Sequence, residues 1–133
     1  MAKKVLMIAA ISGLLAVALG AFGAHGLKAR LAEDMLAVYQ TGVQYHFYHG
    51  FALLITGLVM IQAPKVTAFR WAGVLFIIGT LIFSGSLYLL AISGTRWLGA
   101  ITPIGGLLLI AGWAALAVGS YQWQKINELG HHE

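Results

Sequence analysis

Cysteine is absent from this 133-residue chain, and with it any disulfide, thiolate metal site or thiol nucleophile. Charge is nearly as scarce. Eight Lys and Arg and four Asp and Glu make up 9% of the residues, where an ordinary soluble domain carries about 25%. The few cations are scattered among loops and the ends of apolar runs, so no basic stripe exists to hold a phosphate backbone, and nucleic acid is not an expected partner. The few acids stand outside the apolar runs. A serine hydrolase on Ser84 or Ser86 would lack the acid that orients its histidine, and a proton-coupled transporter would lack a membrane carboxylate. Phosphate-binding glycine loops are missing too, since the glycines lie inside apolar helical stretches rather than after a strand. Proline occurs only twice, at Pro64 and Pro103.

What is present in abundance is uninterrupted apolar sequence. Val5–Ala24, Val43–Ala63, Trp71–Thr95 and Trp97–Gln124 contain no charged residue, and the chain as a whole is 60% hydrophobic. Each run is long enough to cross a hydrocarbon core of roughly 30 Å at about 1.5 Å per residue. A soluble core of this length could not hide so much apolar surface, so lipid is the solvent for much of it. The expected fold is all-α: a single polytopic domain, residues 1–133, with four transmembrane helices in a bundle. The spans are placed at about 5–24, 43–63, 71–93 and 102–123. An amphipathic segment at about 27–41, with Leu27, Leu31, Met35 and Val38 on one face, suits the interface between the first two spans and could run on into the second.

Lys3 and Lys4 before an apolar run ending in Ala21-Phe22-Gly23-Ala24 could be read as a cleaved secretory signal. A signal core is usually 7–15 residues long, however, and this run reaches about 20. Its stripe of Ala9, Gly13, Ala16, Gly20 and Ala24 also suits close helix packing, so retention as a first span is the preferred reading. Four spans put both termini and the 64–70 connection on one side, with Lys3, Lys4, Lys65, Arg70 and Lys125, against Lys28, Arg30 and Arg96 on the other. Five cations against three place both termini in the cytoplasm. Trp71, Trp97 and Trp123 fall at the expected interfaces. Ala63-Pro64-Lys65 reads as a break, Gly94 as a helix C-cap and Thr102-Pro103 as a helix start with Thr102 at the N-cap.

Gly105, Gly112 and Gly119, seven apart in the fourth span, present one narrow groove, used either for packing within the chain or for a second copy of it. Together with Gly13 and Gly20 they are the expected helix-packing positions.

Polar side chains collect at one depth. His25 closes the first span, Gln44, His46, Tyr48 and His49 open the second, Ser84, Ser86 and Tyr88 fall late in the third, and Thr102 opens the fourth. In the assigned topology all of them sit in the outer leaflet, leaving Ser12 and Thr56 in the inner half. These nine residues therefore define an expected outward-facing polar pocket over an apolar floor. The first reading of its histidines is hydrogen bonding between helices. The second is a ligand or proton-handling site. The third is a metal site of His25, His46 and His49, since His46 and His49 are one helical turn apart. No cofactor is required by the sequence, and a haem cannot be bracketed by two histidines of one helix. His131 and His132 read as a solvated tail.

The same stretches carry a resemblance. Gly20–Leu27 (GAFGAHGL), Tyr39–His49 (YQTGVQYHFYH), Phe83–Leu90 (FSGSLYLL) and Ile101–Gly106 (ITPIGG) resemble four ordered motifs of the family catalogued as domain of unknown function 423. The resemblance implies a four-helix integral membrane protein, resident in the inner (plasma) membrane of bacteria, with no activity or site residues to carry over. The expected role is then binding or transport of a small ligand at the polar pocket. An accessory or assembly subunit of a larger membrane complex is the alternative, and a histidine–metal membrane enzyme comes third. Expected partners are membrane lipid and either further copies of the chain or a larger complex; no catalytic residue is expected.

Overall fold

The computed structural model describes residues 1–130, so the expected tail of His131 and His132 lies outside the described residues. Four long helices follow one another: α1 Ala2–Phe22, α2 Glu33–Gln62, α3 Thr67–Ser93 and α4 Thr102–Gly130. A π-helical turn, Gly23–Leu27, extends α1, and a 3₁₀ turn, Arg96–Ala100, precedes α4. Among the described residues there is no strand. Among the described residues three stretches are long and apolar enough to cross a membrane: Ala2–Leu27, Thr67–Ser93 and Arg96–Gly130. α2 has the length, at 30 residues, but its middle carries Gln44, Tyr45, His46, Tyr48 and His49, which lower its mean hydropathy.

The helix ends follow local chemistry. α2 stops before Pro64, whose ring cannot continue the ladder. α3 closes on Gly94, whose φ of 69° is the left-handed geometry that favours glycine. α4 starts at Thr102, as expected, but Thr102 does not act as a cap. Its hydroxyl turns back to the Leu98 carbonyl, at 3.4 Å, and to Ser86 Oγ, at 2.6 Å.

The helices pack in chain order, α1 on α2, α2 on α3 and α3 on α4, and small residues set how closely they approach. Where lipid replaces water, burying an apolar side chain against another helix gains little transfer free energy, so close van der Waals contact must hold the helices together. Gly105, Gly112 and Gly119 of α4 meet Phe83, Phe76 and Phe69 of α3, a row that also steps by seven but runs the opposite way. A Cβ at Gly105 would run into the Phe83 backbone itself. The glycine row is thus taken up inside the chain. Gly20 of α1 faces Val43 of α2, Gly57 of α2 faces Leu6, and Gly79 of α3 faces Leu109. Gly13 departs from the expected packing set, because nothing stands within 4 Å of the place its Cβ would occupy. The larger core gathers Val5, Ala9, Leu53, Met60, Phe69, Phe76 and Leu109 towards the α2–α3 turn, and a smaller one forms around Tyr39, Leu27 and Ala91 at the other end.

Candidate functional site

α1 and α3 both lean on α2 but do not pack against each other along their length. The gap between them is a cavity of about 320 Å³, with His46, His49 and Leu53 of α2 at its floor. Its α1 wall runs from Ile8 through Ser12 and Leu15 to Leu19, and its α3 wall from Phe76 through Leu81 and Ser84 to Tyr88. Ile8, Ile11 and Leu15 on one rim and Leu81 on the other are exposed, so the cavity opens sideways between the two helices. The expectation was a polar mouth above an apolar floor. The structure has apolar walls, a lateral opening and polar atoms at the bottom. Polar side chains that sit one above another in the sequence point, once helical, into the packed interior rather than out of the bundle's end.

The two histidines of α2 do different work, because positions three apart are turned by about 60° around a helix. His46 reaches between α1 and α3. Its Nε2 lies 3.0 Å from Ser12 Oγ, and its Nδ1 lies 2.9 Å from the Tyr88 hydroxyl. His49 faces α4, where the Trp113 indole N–H donates to its Nε2 at 3.1 Å. Its Nδ1–H donates to the Tyr45 carbonyl at 2.7 Å. A carbonyl can only accept and an indole N–H can only donate, so His49 is held as the neutral Nδ1–H tautomer with both nitrogens used. The partners of His46 are hydroxyls, which donate or accept, so either tautomer fits there.

Of the nine expected pocket residues, His46, His49, Ser84 and Tyr88 line this one cavity. Ser84 holds its helix to α2, its buried hydroxyl donating to the Gly42 carbonyl at 2.8 Å. Ser86 and Thr102 are drawn elsewhere, into a clasp between α3 and α4. His25, Gln44 and Tyr48 are exposed on outer faces of their helices. His25, in the π-helical turn, pairs its Nδ1 with the Ala21 carbonyl at 3.0 Å. The proposed metal set is therefore not assembled: among the described residues no three His, Asp or Glu side chains stand together as ligands. His25 faces away, and the ring nitrogens of His46 and His49 point to separate partners.

Three contributors were missed in the sequence. Ser12 had been placed in the inner half, apart from the pocket. Yet it is the lone polar side chain of Val5–Ala24, and that isolation was the available signal. Trp113 sits in the middle of its apolar run, where an interfacial tryptophan has no place, and it needs a partner for its N–H. Tyr39 is fully buried and donates its hydroxyl to the Leu19 carbonyl at 2.5 Å, its ring 5.2 Å from that of Tyr88. Nothing in its spacing marked it out.

Long apolar helices, glycine-mediated contacts and a side-opening cavity with hydrogen-bonded polar groups at its base define a helical integral membrane protein. Comparison with known proteins gives its family. Residues 19–106 match the family described as "Protein of unknown function (DUF423)", a range that takes in all four motifs noted above. The UPF0382 membrane protein YwdK of Bacillus subtilis is 42% identical over 91 residues, 68% of this chain and 74% of that protein. The UPF0382 inner membrane protein YgdD of Escherichia coli K12 is 42% identical over 92 residues, 68% of this chain and 69% of that one. This chain belongs to the DUF423 family. No solved structure matches it.

Proposed function

We propose that this protein spans the membrane four times, with both termini in the cytoplasm, and that it binds a small membrane-soluble molecule in the cavity between α1 and α3. The four-span topology rests on α2 lying antiparallel along the whole of α1, from the Gly20–Val43 contact at one end to Leu6–Gly57 at the other. A helix packed in that way between two apolar neighbours crosses the bilayer with them. An even number of crossings returns the C-terminus to the side of Lys3 and Lys4, and the cation bias makes that side cytoplasmic.

The observation that carries the binding role is the cavity itself. Its volume, about 320 Å³, falls at the small end of the range of ligand sites, and its mainly apolar lining with a few convergent polar groups is their usual make-up. Among the described residues no Asp, Glu, Lys or Arg lines the cavity, so no charged side chain there supports a catalytic reading. A through-pore would need polar lining along its full length, so a bound molecule exchanging with the bilayer is the better reading.

Gly85 provides the test. It lines the cavity, and nothing stands within 4 Å of where its Cβ would be. Gly85→Leu therefore adds a side chain at a lining position whose first carbon meets open space. Native mass spectrometry of the protein released from its own membrane is expected to show a bound small molecule in the wild type and none in Gly85→Leu. A wild-type chain that emerges bare, or a variant that keeps the same adduct, rejects the binding role.

A further inference from the structure

Ser12, His46 and Tyr88 form one hydrogen-bonded row across the cavity, from the α1 wall over the floor to the α3 wall, and its hydrogens specify the occupant. The row holds three polar hydrogens, one on each hydroxyl and one on the neutral imidazole, but makes only two hydrogen bonds. If the imidazole proton is on Nδ1, it donates to Tyr88, Ser12 donates to Nε2, and the Tyr88 hydrogen is left over. If the proton is on Nε2, the Ser12 hydrogen is left over instead. In either tautomer one hydroxyl hydrogen lacks a protein partner among the described residues, and both hydroxyls belong to residues that line the cavity. A donor left unpaired in an apolar setting is costly, whereas a hydroxyl oxygen already in one hydrogen bond tolerates an unused second lone pair more readily. An occupant that only accepts closes the count.

Position and surroundings narrow the class. Ser12 is midway along α1, about 15 Å from either end of that helix at 1.5 Å per residue. The ester carbonyls of a bilayer lipid stay near the edge of a hydrocarbon core about 30 Å thick, too far away to reach Ser12; Tyr88 lies nearer the end of its helix, and an ester probe tests that alternative. Among the described residues no charged side chain lines the cavity, so a charged occupant would go uncompensated there. Four ring-bearing side chains, His46, His49, Phe76 and Tyr88, line the cavity, company that suits a flat ring. We infer that the occupant is a quinone-class molecule: an uncharged ring, whose carbonyl accepts from Ser12 or Tyr88, on a hydrocarbon tail that leaves through the lateral opening. This rests on the cavity being a ligand site, as proposed above.

The probe is a short-chain quinone, decylubiquinone, added to delipidated wild-type protein in detergent, with a long-chain methyl ester as comparison. Two variants accompany it, Gly85→Leu and the triple substitution Ser12→Ala, His46→Leu, Tyr88→Phe. The triple change replaces every member of the row by an apolar side chain, which leaves no orphaned partner and so preserves the fold. The expected result is quinone binding to the wild type, loss in Gly85→Leu and roughly five- to tenfold weakening in the triple variant, the worth of one hydrogen bond. The infrared carbonyl band of the bound quinone is expected to move to lower frequency in the wild type and not in the triple variant. Equal affinity in the triple variant, or an unshifted carbonyl band, overturns the inference. Binding of the ester but not the quinone, abolished by Gly85→Leu, also overturns it while leaving the cavity a ligand site. Absence of quinone binding overturns the inference, and the native mass spectrometry described above then decides separately whether the cavity is a ligand site.

Discussion

His49 and Trp113 show how a buried histidine can be structural. Each satisfies the other at 3.1 Å, and the Tyr45 carbonyl takes the remaining imidazole hydrogen. Trp113→Phe leaves Nε2 without its donor, and His49→Leu leaves the indole N–H without its acceptor, so either change alone is destabilising. The two together remove both ends of the bond and cost less than their sum. Interhelical hydrogen bonds in membranes average about 0.6 kcal/mol and reach about 1.7 kcal/mol. A double-mutant cycle, read by unfolding in mixed micelles containing dodecyl sulfate, is expected to give a coupling in that range. A coupling of zero would mean that the pair does not hold α2 to α4. The histidines themselves were legible in the sequence, because polar residues are conspicuous in an apolar run. Their partners were less so. Side-chain direction depends on how α1 and α4 are rotated against α2, and one sequence does not give that rotation.

Between elements, the same chain offers an internal comparison of three glycines. Gly105 lies against the Phe83 backbone, Gly112 against the Phe76 ring and Gly13 against nothing within 4 Å. Backbone cannot yield and a ring can shift only if its neighbours allow it. Substitution by Ala is therefore expected to destabilise most at Gly105, by about 1–3 kcal/mol, and less at Gly112. At Gly13 it should stabilise by about 0.5–1 kcal/mol, since Ala loses less backbone entropy than Gly in a helix. Equilibrium unfolding of the three variants ranks them, and equal effects would show that the seven-residue row does not set the α3–α4 distance. The row's spacing was plain in the sequence, but not which helix it faced. It faces Phe69, Phe76 and Phe83 of α3, themselves seven apart, and that pairing depends on how the two helices are rotated against each other. Helix ends that depend on local chemistry, the Pro64 break and the Gly94 cap, were legible. The Thr102 cap was not, because the hydroxyl had a better partner in another helix, Ser86 Oγ at 2.6 Å.

At the scale of the whole molecule, the number of crossings, three or four, decides on which side each loop lies. By length and composition three helices qualify. If α2 failed to cross, the α1–α2 and α2–α3 connections would lie on one side, and Arg30 and Lys65 would face the same solution. The proposed four crossings instead put these loops on opposite sides, in keeping with an antiparallel α1–α2 register carried from Gly20–Val43 to Leu6–Gly57. The polar side chains that lower the mean hydropathy of α2 are no obstacle where they are turned inward. His46 and His49 are 7% and 6% exposed, and their hydrogen bonds to Ser12, Tyr88, Trp113 and the Tyr45 carbonyl replace those that water would make. The chain has no cysteine, so single cysteines can be introduced without background. Cysteines replacing Arg30 and Arg96 are expected to react with a membrane-impermeant maleimide added to intact cells. A cysteine replacing Lys65 should react only after permeabilisation. Labelling of positions 30 and 65 from the same side would remove α2 from the membrane. Labelling of position 65 alone from outside would keep four spans and invert them, reversing the cation bias of five against three.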